Sequence, residues 1–242
     1  MKVIKLDAID STNGFLKGLS NKQELENFTV VTAEIQTKGK GQMGAVWASE
    51  ASKNLIMSIL VKDFLSDICQ IFNLNIVISL SVIEVLESIN IPDLSIKWPN
   101  DILSYNKKIG GILIENTIKS DGTILSIVGF GLNVNQTDFK NLTKASSLAI
   151  ITGQEFDNDV LLFSISNTIE KNTSLWKQHP TILWTKYIDN LYKKGLPMPF
   201  SNQHRTNFMG IIQGVSSFGK LQVLLEDDSI AEFDIKEIQM LY

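Results

Sequence analysis

The sequence predicts a chain of mixed α and β structure, a main domain followed by a small all-β appendage, and three observations lead there. At 242 residues the chain is long for one small domain and short for two full ones. Apolar runs of strand length alternate with a few stretches long enough only for helices. After Gly195-Leu196-Pro197-Met198-Pro199, a linker by its Pro and Gly content, only short strands with regular turns remain. The expected division is 1–194 for the main domain and 195–242 for a small β-barrel.

The elements follow in order. Residues 3–9 alternate loosely and predict a strand, and Asp10-Ser11-Thr12-Asn13 is dense in helix-capping residues. Phe15, Leu16 and Leu19 then recur at helical spacing. A β-branched run at 29–33 predicts a buried strand, 36–44 a loop with three glycines and two lysines, and 55–61 a further strand. The stretch 74–89 is too long for a strand and predicts a helix despite its β-branched content. Residues 95–98, 102–105, 109–118 and 123–133 predict consecutive strands, with turns at Asn106-Lys107 and Ser120-Asp121-Gly122. Helices are expected at 159–176 and 181–193. The short C-terminal strands are expected at 207–214, 220–225, 229–233 and 237–241, turned by Gly219 and Asp227-Asp228.

Composition excludes several classes of function. The chain is 44% hydrophobic and 20% charged, which is that of an ordinary soluble globule rather than a disordered chain. Its net charge of −4 disfavours general nucleic-acid binding, which needs clustered Lys and Arg; Arg205 is the sole arginine. A single cysteine, Cys69, excludes an internal disulfide, and its apolar neighbours Ile68, Ile71 and Phe72 predict a buried thiol. Two histidines, His179 and His204, are too few for a His-rich zinc site and lie in no catalytic motif. The N-terminus lacks the apolar core of a signal peptide. The longest apolar stretch, 71–91, is interrupted by Asn73, Asn75, Glu84, Glu87 and Ser88, so no membrane span and a cytoplasmic location are expected.

Four segments are built for chemistry. Gly39-Lys40-Gly41-Gln42-Met43-Gly44 combines glycines, which let backbone N–H groups approach an anion, with positive charge. It lacks the ending of a P-loop, and alone it reads equally as a flexible surface loop. Lys97-Trp98-Pro99-Asn100-Asp101 kinks the chain between two strands and exposes polar side chains, although an ordinary Asn-Asp turn would look the same. Lys107-Lys108-Ile109-Gly110-Gly111-Ile112-Leu113-Ile114-Glu115 carries two lysines into a strand through a glycine pair, and Gly129-Phe130-Gly131-Leu132-Asn133 is a second glycine-broken strand. Glycine inside a strand often marks close approach of a ligand to the backbone. Together these segments outline a flat ligand laid across a sheet with lysines at one end.

These segments, with Asp10-Ser11-Thr12-Asn13 before them, resemble the biotin protein ligase family in order and in spacing, over essentially the whole chain. The resemblance implies an α+β fold: a mixed β-sheet flanked by helices, similar to class II aminoacyl-tRNA synthetases, with the small C-terminal β-barrel as a separate domain. It implies that ATP with Mg²⁺ activates biotin as biotinyl-AMP, and that a biotin carboxyl carrier protein accepts the biotin. Lys108, Asp101 and Lys40 match the catalytic positions. Ser11, Thr12, Asn13, Gln36, Lys40, Gly41, Gln42, Lys108, Gly111 and Ile112 match biotin-binding positions. Gly39, Lys40, Trp47, Asn100 and Asn133 match nucleotide-binding positions, and no residue is matched to Mg²⁺.

Some members carry an N-terminal winged helix that binds DNA; the Asp-Ser-Thr-Asn motif at residue 10 leaves no room for one here, so no DNA partner is expected. A monomer or weak homodimer, off the membrane, is expected. Many members have arginines where this chain has Lys40, Gln42 and Ala45, which bears on how tightly the adenylate is held; Lys38 could restore one charge. A lipoate ligase or octanoyl transferase shares the fold, but its ligands lack the urea that Ser11, Thr12 and Gln36 would serve. A non-catalytic biotin sensor or repressor is at odds with the retained Lys108.

Overall fold

A computed structural model describes residues 1–140 and 142–241. Its main sheet has seven strands: β1 (Val3–Ile9), β2 (Val30–Gln36), β3 (Leu55–Lys62), β4 (Leu94–Lys97), β5 (Asp101–Ser104), β6 (Lys107–Ile118) and β7 (Ile124–Leu132). Their order is β1-β2-β3-β7-β6-β5-β4. Only β1 and β2 pair in parallel; the other neighbours are antiparallel. The expected mixed sheet flanked by helices is therefore present.

The strand alternation sorts residues onto two faces. Val128, Phe130 and Leu132 of β7, and Leu55, Met57 and Ile59 of β3, point into one large core. Leu125, Ile127 and Leu60 point the other way and pack with Leu16 of α1 (Thr12–Lys22). The large core is covered by α2 (Ile71–Ser88), α4 (Asn158–Gln178) and α5 (Pro180–Asp189), with the short α3 (Leu148–Thr152) between strand and helix layers in the chain. Ser11 caps α1, Ser147 caps α3 and Asp157 caps α4, each through a side-chain oxygen that accepts from a first-turn N–H. α2 has no such cap; burial holds it instead, with residues from Leu74 to Leu86 packed on nearly every side. It is long and apolar enough to cross a membrane by composition, but most of it lies inside the protein as the core helix.

The C-terminal strands are β8 (Pro197–Asn202), β9 (Asn207–Val215), β10 (Leu221–Leu224), β11 (Ile230–Phe233) and β12 (Ile238–Met240), in the order β11-β10-β9-β8-β12. The expected barrel is not closed: among the described residues β11 and β12 are the two edges of an open antiparallel sheet. These edge strands are short, four and three residues long. Two further expectations fail. The segment read as a linker is the start of β8, and Cys69 is exposed on a 3-10 turn, where Asp67 accepts from its N–H and holds its thiol above the usual cysteine range.

The core runs unbroken from one sheet to the other, since Phe200, Ile212 and Leu221 belong to the same cluster as Ile78 and Ile96. Ile78→Ala in fully buried α2 should therefore destabilise the whole chain, by about 2–5 kcal/mol for a deleted core side chain of this size. Urea unfolding followed by far-UV circular dichroism checks this; a loss under about 1 kcal/mol would contradict a tightly packed α2.

Candidate functional site

A cavity of about 590 Å³ opens between the two sheets, on the face of the main sheet that also carries α1. One end is built by the start of α1. Ser11, Thr12 and Asn13 sit in its cap and first turn and are nearly fully buried, so their side chains are fixed by the helix start. Thr12 N donates to Gln36 Oε1 at 2.7 Å, and Thr12 Oγ1 lies 3.1 Å from the same oxygen. Ser58 Oγ lies 2.8 Å from Thr12 Oγ1 and 2.6 Å from Asn13 Oδ1. Asn13 Nδ2 donates to Glu115 Oε2 at 2.8 Å. Five polar side chains from α1, β2, β3 and β6 thus form one connected network at the polar end.

The floor of the cavity is made of glycines, and the protein's own side chains lie against them. A Cβ on Gly129 would fall 2.5 Å from Asn13 Oδ1, and one on Gly131 would fall 2.4 Å from Trp47 Cε2. A Cβ on Gly111 would fall 3.3 Å from Lys108 Nζ. The missing side chains make room first for the protein's own Asn13, Trp47 and Lys108, laid flat on the sheet. Trp47 Nε1 is buried there without a hydrogen-bond partner among the described residues.

At the far end, Lys108 Nζ lies 2.5 Å from Asp101 Oδ1 and 5.7 Å from the centre of the Trp47 ring. A β-bulge puts it there. Asp101 pairs with Gly111 and Ile102 with Gly110, but Leu103 pairs with Lys108, so Ile109 is an extra residue. Without it, strict alternation would aim Lys108 at the apolar core and Ile109 at the cavity. With it, Ile109 is fully buried in the core and Lys108 shares the face of Asp101. The bulge is tied down from outside: Lys108 N donates to Lys144 O, and Ser146 N donates to Lys108 O. Asn100 pins the other side, its Nδ2 donating to Ile112 O at 2.7 Å.

The glycine loop folds into a small hairpin over this end. Trp47 N donates to Gly39 O and Gly41 N to Ala45 O, with a turn at 42–44 in which Met43 has φ 53°. Lys40, Gly41 and Gln42 line the cavity. The second sheet closes the opposite wall: Trp98 Nε1 donates to Gly219 O, and Lys236 Nζ donates to Met43 O at 3.1 Å. Among the described residues the charged groups of the lining are Lys40, Lys97, Lys108, Arg205 and Lys236 against Asp101 alone. In a chain of net charge −4, that concentration marks a site for anions.

All the residues expected at the site line this cavity except Gly39 and Asn133. Gly39 acts within the loop, where a Cβ would fall 2.2 Å from Trp47 O. Asn133 is buried behind the wall, its Nδ2 donating to Ser146 O at 3.0 Å and its backbone N to Ile109 O, so it braces the bulge. Sequence reasoning missed Ser58 and gave Glu115 no role. Both left a signal: Ser58 is the one polar residue in the apolar run 55–61, and Glu115 shares the parity of Gly111 along its strand. Arg205, from the turn after β8, was noted only for its rarity. Among the described residues no group of three or more His, Cys, Asp or Glu side chains gathers to hold a metal.

Residues 6–135 match the model of the biotin/lipoate A/B protein ligase family. The chain is 32% identical over 193 residues to the bifunctional ligase/repressor BirA of Bacillus spizizenii, covering 76% of this chain and 59% of that protein. It is 28% identical over 195 residues to the biotin–[acetyl-CoA-carboxylase] ligase of Mycobacterium tuberculosis, covering 79% of this chain and 71% of that one. Among solved structures, the biotin protein ligase of Aquifex aeolicus in complex with biotin and ATP superposes with a TM-score of 0.81 at 28% identity, covering 99% of this chain and 98% of that chain. The chain belongs to the biotin/lipoate A/B protein ligase family, and it spans just under three-fifths of the length of the Bacillus relatives.

The contact between Gly131 and the Trp47 indole can be tested directly. Gly131→Ala should cost about 1–3 kcal/mol of stability through overpacking. In a Trp47→Ala background, where the ring is gone, the same change should cost much less. Equal costs in both backgrounds, by urea unfolding, would show that the indole does not lie on Gly131.

Proposed function

We propose that this chain is a biotin–protein ligase: it joins biotin to ATP as biotinyl-5'-AMP, then passes the biotinyl group to one lysine of a biotin carboxyl carrier protein. The observation that supports this most is a single cavity with a hydrogen-bonding network at one end and a lysine group at the other. A cyclic urea suits the first end. Left without partners, its two N–H groups and carbonyl would cost roughly 2–7 kcal/mol to bury. The apolar ring and chain would lie against the main chain at Gly111 and Ile112, the Ile112 side chain itself turning into the core.

The cationic end suits the reaction. The biotin carboxylate must form a bond to the α-phosphorus as the bond to pyrophosphate breaks, and two unit charges at about 4 Å repel by about 4 kcal/mol at an effective dielectric near 20. Lys108 and Lys40 offset that repulsion, and Asp101 fixes where the Lys108 ammonium sits. Mg²⁺ on the triphosphate would neutralise further charge; with Asp101 as the one carboxylate in the lining among the described residues, the donor set fits a metal held mainly by phosphates and water. In the second step the acceptor amine, neutral when it attacks, forms a bond to the acyl carbon while AMP leaves. Asp101 is the carboxylate of the lining that can take the amine's proton. Trp47 and Asn100 are assigned to the nucleotide side.

Lipoate and octanoate share the carboxylate but have no urea. They would leave the network at Thr12 and Gln36 unpaired, and a site built for polar groups rejects an analogue that lacks them. The test is to incubate the protein with Mg·ATP, a carrier domain, and either biotin or lipoate. One biotin mass addition on a single lysine, and none from lipoate, is expected; transfer of lipoate alone would overturn the assignment.

Lys108→Ala should lower biotin-dependent pyrophosphate exchange by about 10²–10³-fold, the size expected when one preorganised donor to developing charge is removed. Binding of biotin by calorimetry should persist, because its other end is held by the network around Thr12. Exchange near the wild-type rate would remove Lys108 from the mechanism.

A further inference from the structure

Glu115 and Ser58 do not line the cavity, yet they belong to the network that does. We propose that Glu115 is a positioning and specificity residue: through Asn13 and Ser58 it sets the direction of the hydrogen bonds at Thr12, and so makes Thr12 Oγ1 an acceptor for a ligand N–H. The inference rests on the biotin-ligase assignment and deepens it.

The argument is a count of hydrogens. A carboxylate can only accept, so Asn13 turns its Nδ2 toward Glu115, at 2.8 Å, and its Oδ1 toward Ser58. Asn13 Oδ1 has no hydrogen, so the 2.6 Å contact uses the single proton of Ser58. The 2.8 Å contact between Ser58 and Thr12 can then be made only by the proton of Thr12. The 3.1 Å contact of Thr12 Oγ1 with Gln36 Oε1 competes for that same proton. Whichever contact takes it, both hydroxyl protons are spent inside the protein, and Thr12 Oγ1 offers the cavity only lone pairs. Gln36 Oε1 already accepts from Thr12 N, which leaves Gln36 Nε2 as the donor beside it.

Reversing Asn13 would reverse the chain. With Nδ2 toward Ser58, Ser58 would accept from Asn13 and donate to Thr12, and the Thr12 proton, no longer needed by Ser58, would be left to Gln36 Oε1 or to the ligand. The site would then take either an acceptor or an N–H where it now takes only an N–H. Packing gives Asn13 no other position, since its amide lies against the bare backbone of Gly129. The choice between its two flips falls mainly to Glu115, at 2.8 Å, with the Leu113 carbonyl at 3.5 Å a weaker acceptor on the same side.

Biotin and its carbamate analogue, in which one ring N–H is replaced by oxygen, are the probes, both ring positions being made. The readout is the ratio of kcat/KM for the two in Mg·ATP-dependent pyrophosphate exchange. Wild type should prefer biotin strongly over the analogue with oxygen facing Thr12. Glu115→Ala, which lets Asn13 flip, should shrink that preference by at least about tenfold, within the range by which a polar site discriminates its partner. Ser58→Ala cuts the chain one step nearer and leaves the same proton to Gln36 or the ligand, so it should shrink the preference similarly, and the double variant should do little more than either alone. Glu115→Gln, which keeps an oxygen that can accept from Asn13, should stay nearer wild type than Glu115→Ala. A uniform loss of activity with an unchanged ratio in both Ala variants would mean that the residues only support the fold, and would overturn the inference. Failure of wild type to use biotin at all would instead overturn the biotin-ligase assignment, and this inference with it.

Discussion

The site depends on bare backbone at the centre of the main sheet. Gly111 and Gly131 face each other across β6 and β7, and Gly129 lies opposite Ser58 on β3. On the opposite face the neighbouring residues are large and apolar, such as Phe130 and Ile112, and they carry the helices. One face of the same strands is therefore packed to full depth while the other is stripped to the main chain. That asymmetry lets Trp47 and Asn13 lie directly on the sheet, and with Lys108 beside Gly111 it leaves a cavity deep enough for a ligand instead of a second hydrophobic core.

The other requirement is that a charged side chain emerge from a strand that is otherwise core. The bulge at Ile109 meets it with one extra residue. The parity change sends Ile109 into the apolar cluster and Lys108 to Asp101, so one local irregularity serves both stability and chemistry. Its supports come from far along the chain: the backbone at 144–146, and Asn133 through Ser146. Asn133 thus matters to the reaction end through the geometry of Lys108, without facing the cavity.

Much of this was legible in the residues. The strands of the main sheet and four of the five helices follow from periodicity, and the glycine-broken strands point to the right face. What was not legible depends on pairing. Nothing in Lys107-Lys108-Ile109-Gly110-Gly111 announces where the bulge falls, because register is a property of two strands. β8 reads as a linker because of Pro197 and Pro199, which lack the N–H of a central strand; the β12 ladder ends at Phe200, and past it only the Pro199 carbonyl is engaged, by Leu241 N, so both prolines lie at or beyond the end of that pairing. α3 is five residues long, too short for a period to show. Asn133 was placed at the ligand by resemblance, and only the position of Ser146 shows where its amide goes.

The two ends of the cavity solve different physical problems. At the lysine end the task is to offset charge, which is long-ranged and tolerant of small displacements, so lysines from the glycine hairpin and from the second sheet can share it. At the network end the task is to match donors with acceptors, and there a single proton in the wrong place costs as much as a missing group. This explains why the polar end is built on the first turn of a capped helix and backed by buried Ser58, while the cationic end is closed by exposed contacts such as Lys236 to Met43. The second sheet, through Trp98 to Gly219 and Lys236 to Met43, then forms a wall of the reaction end and is no mere appendage to it.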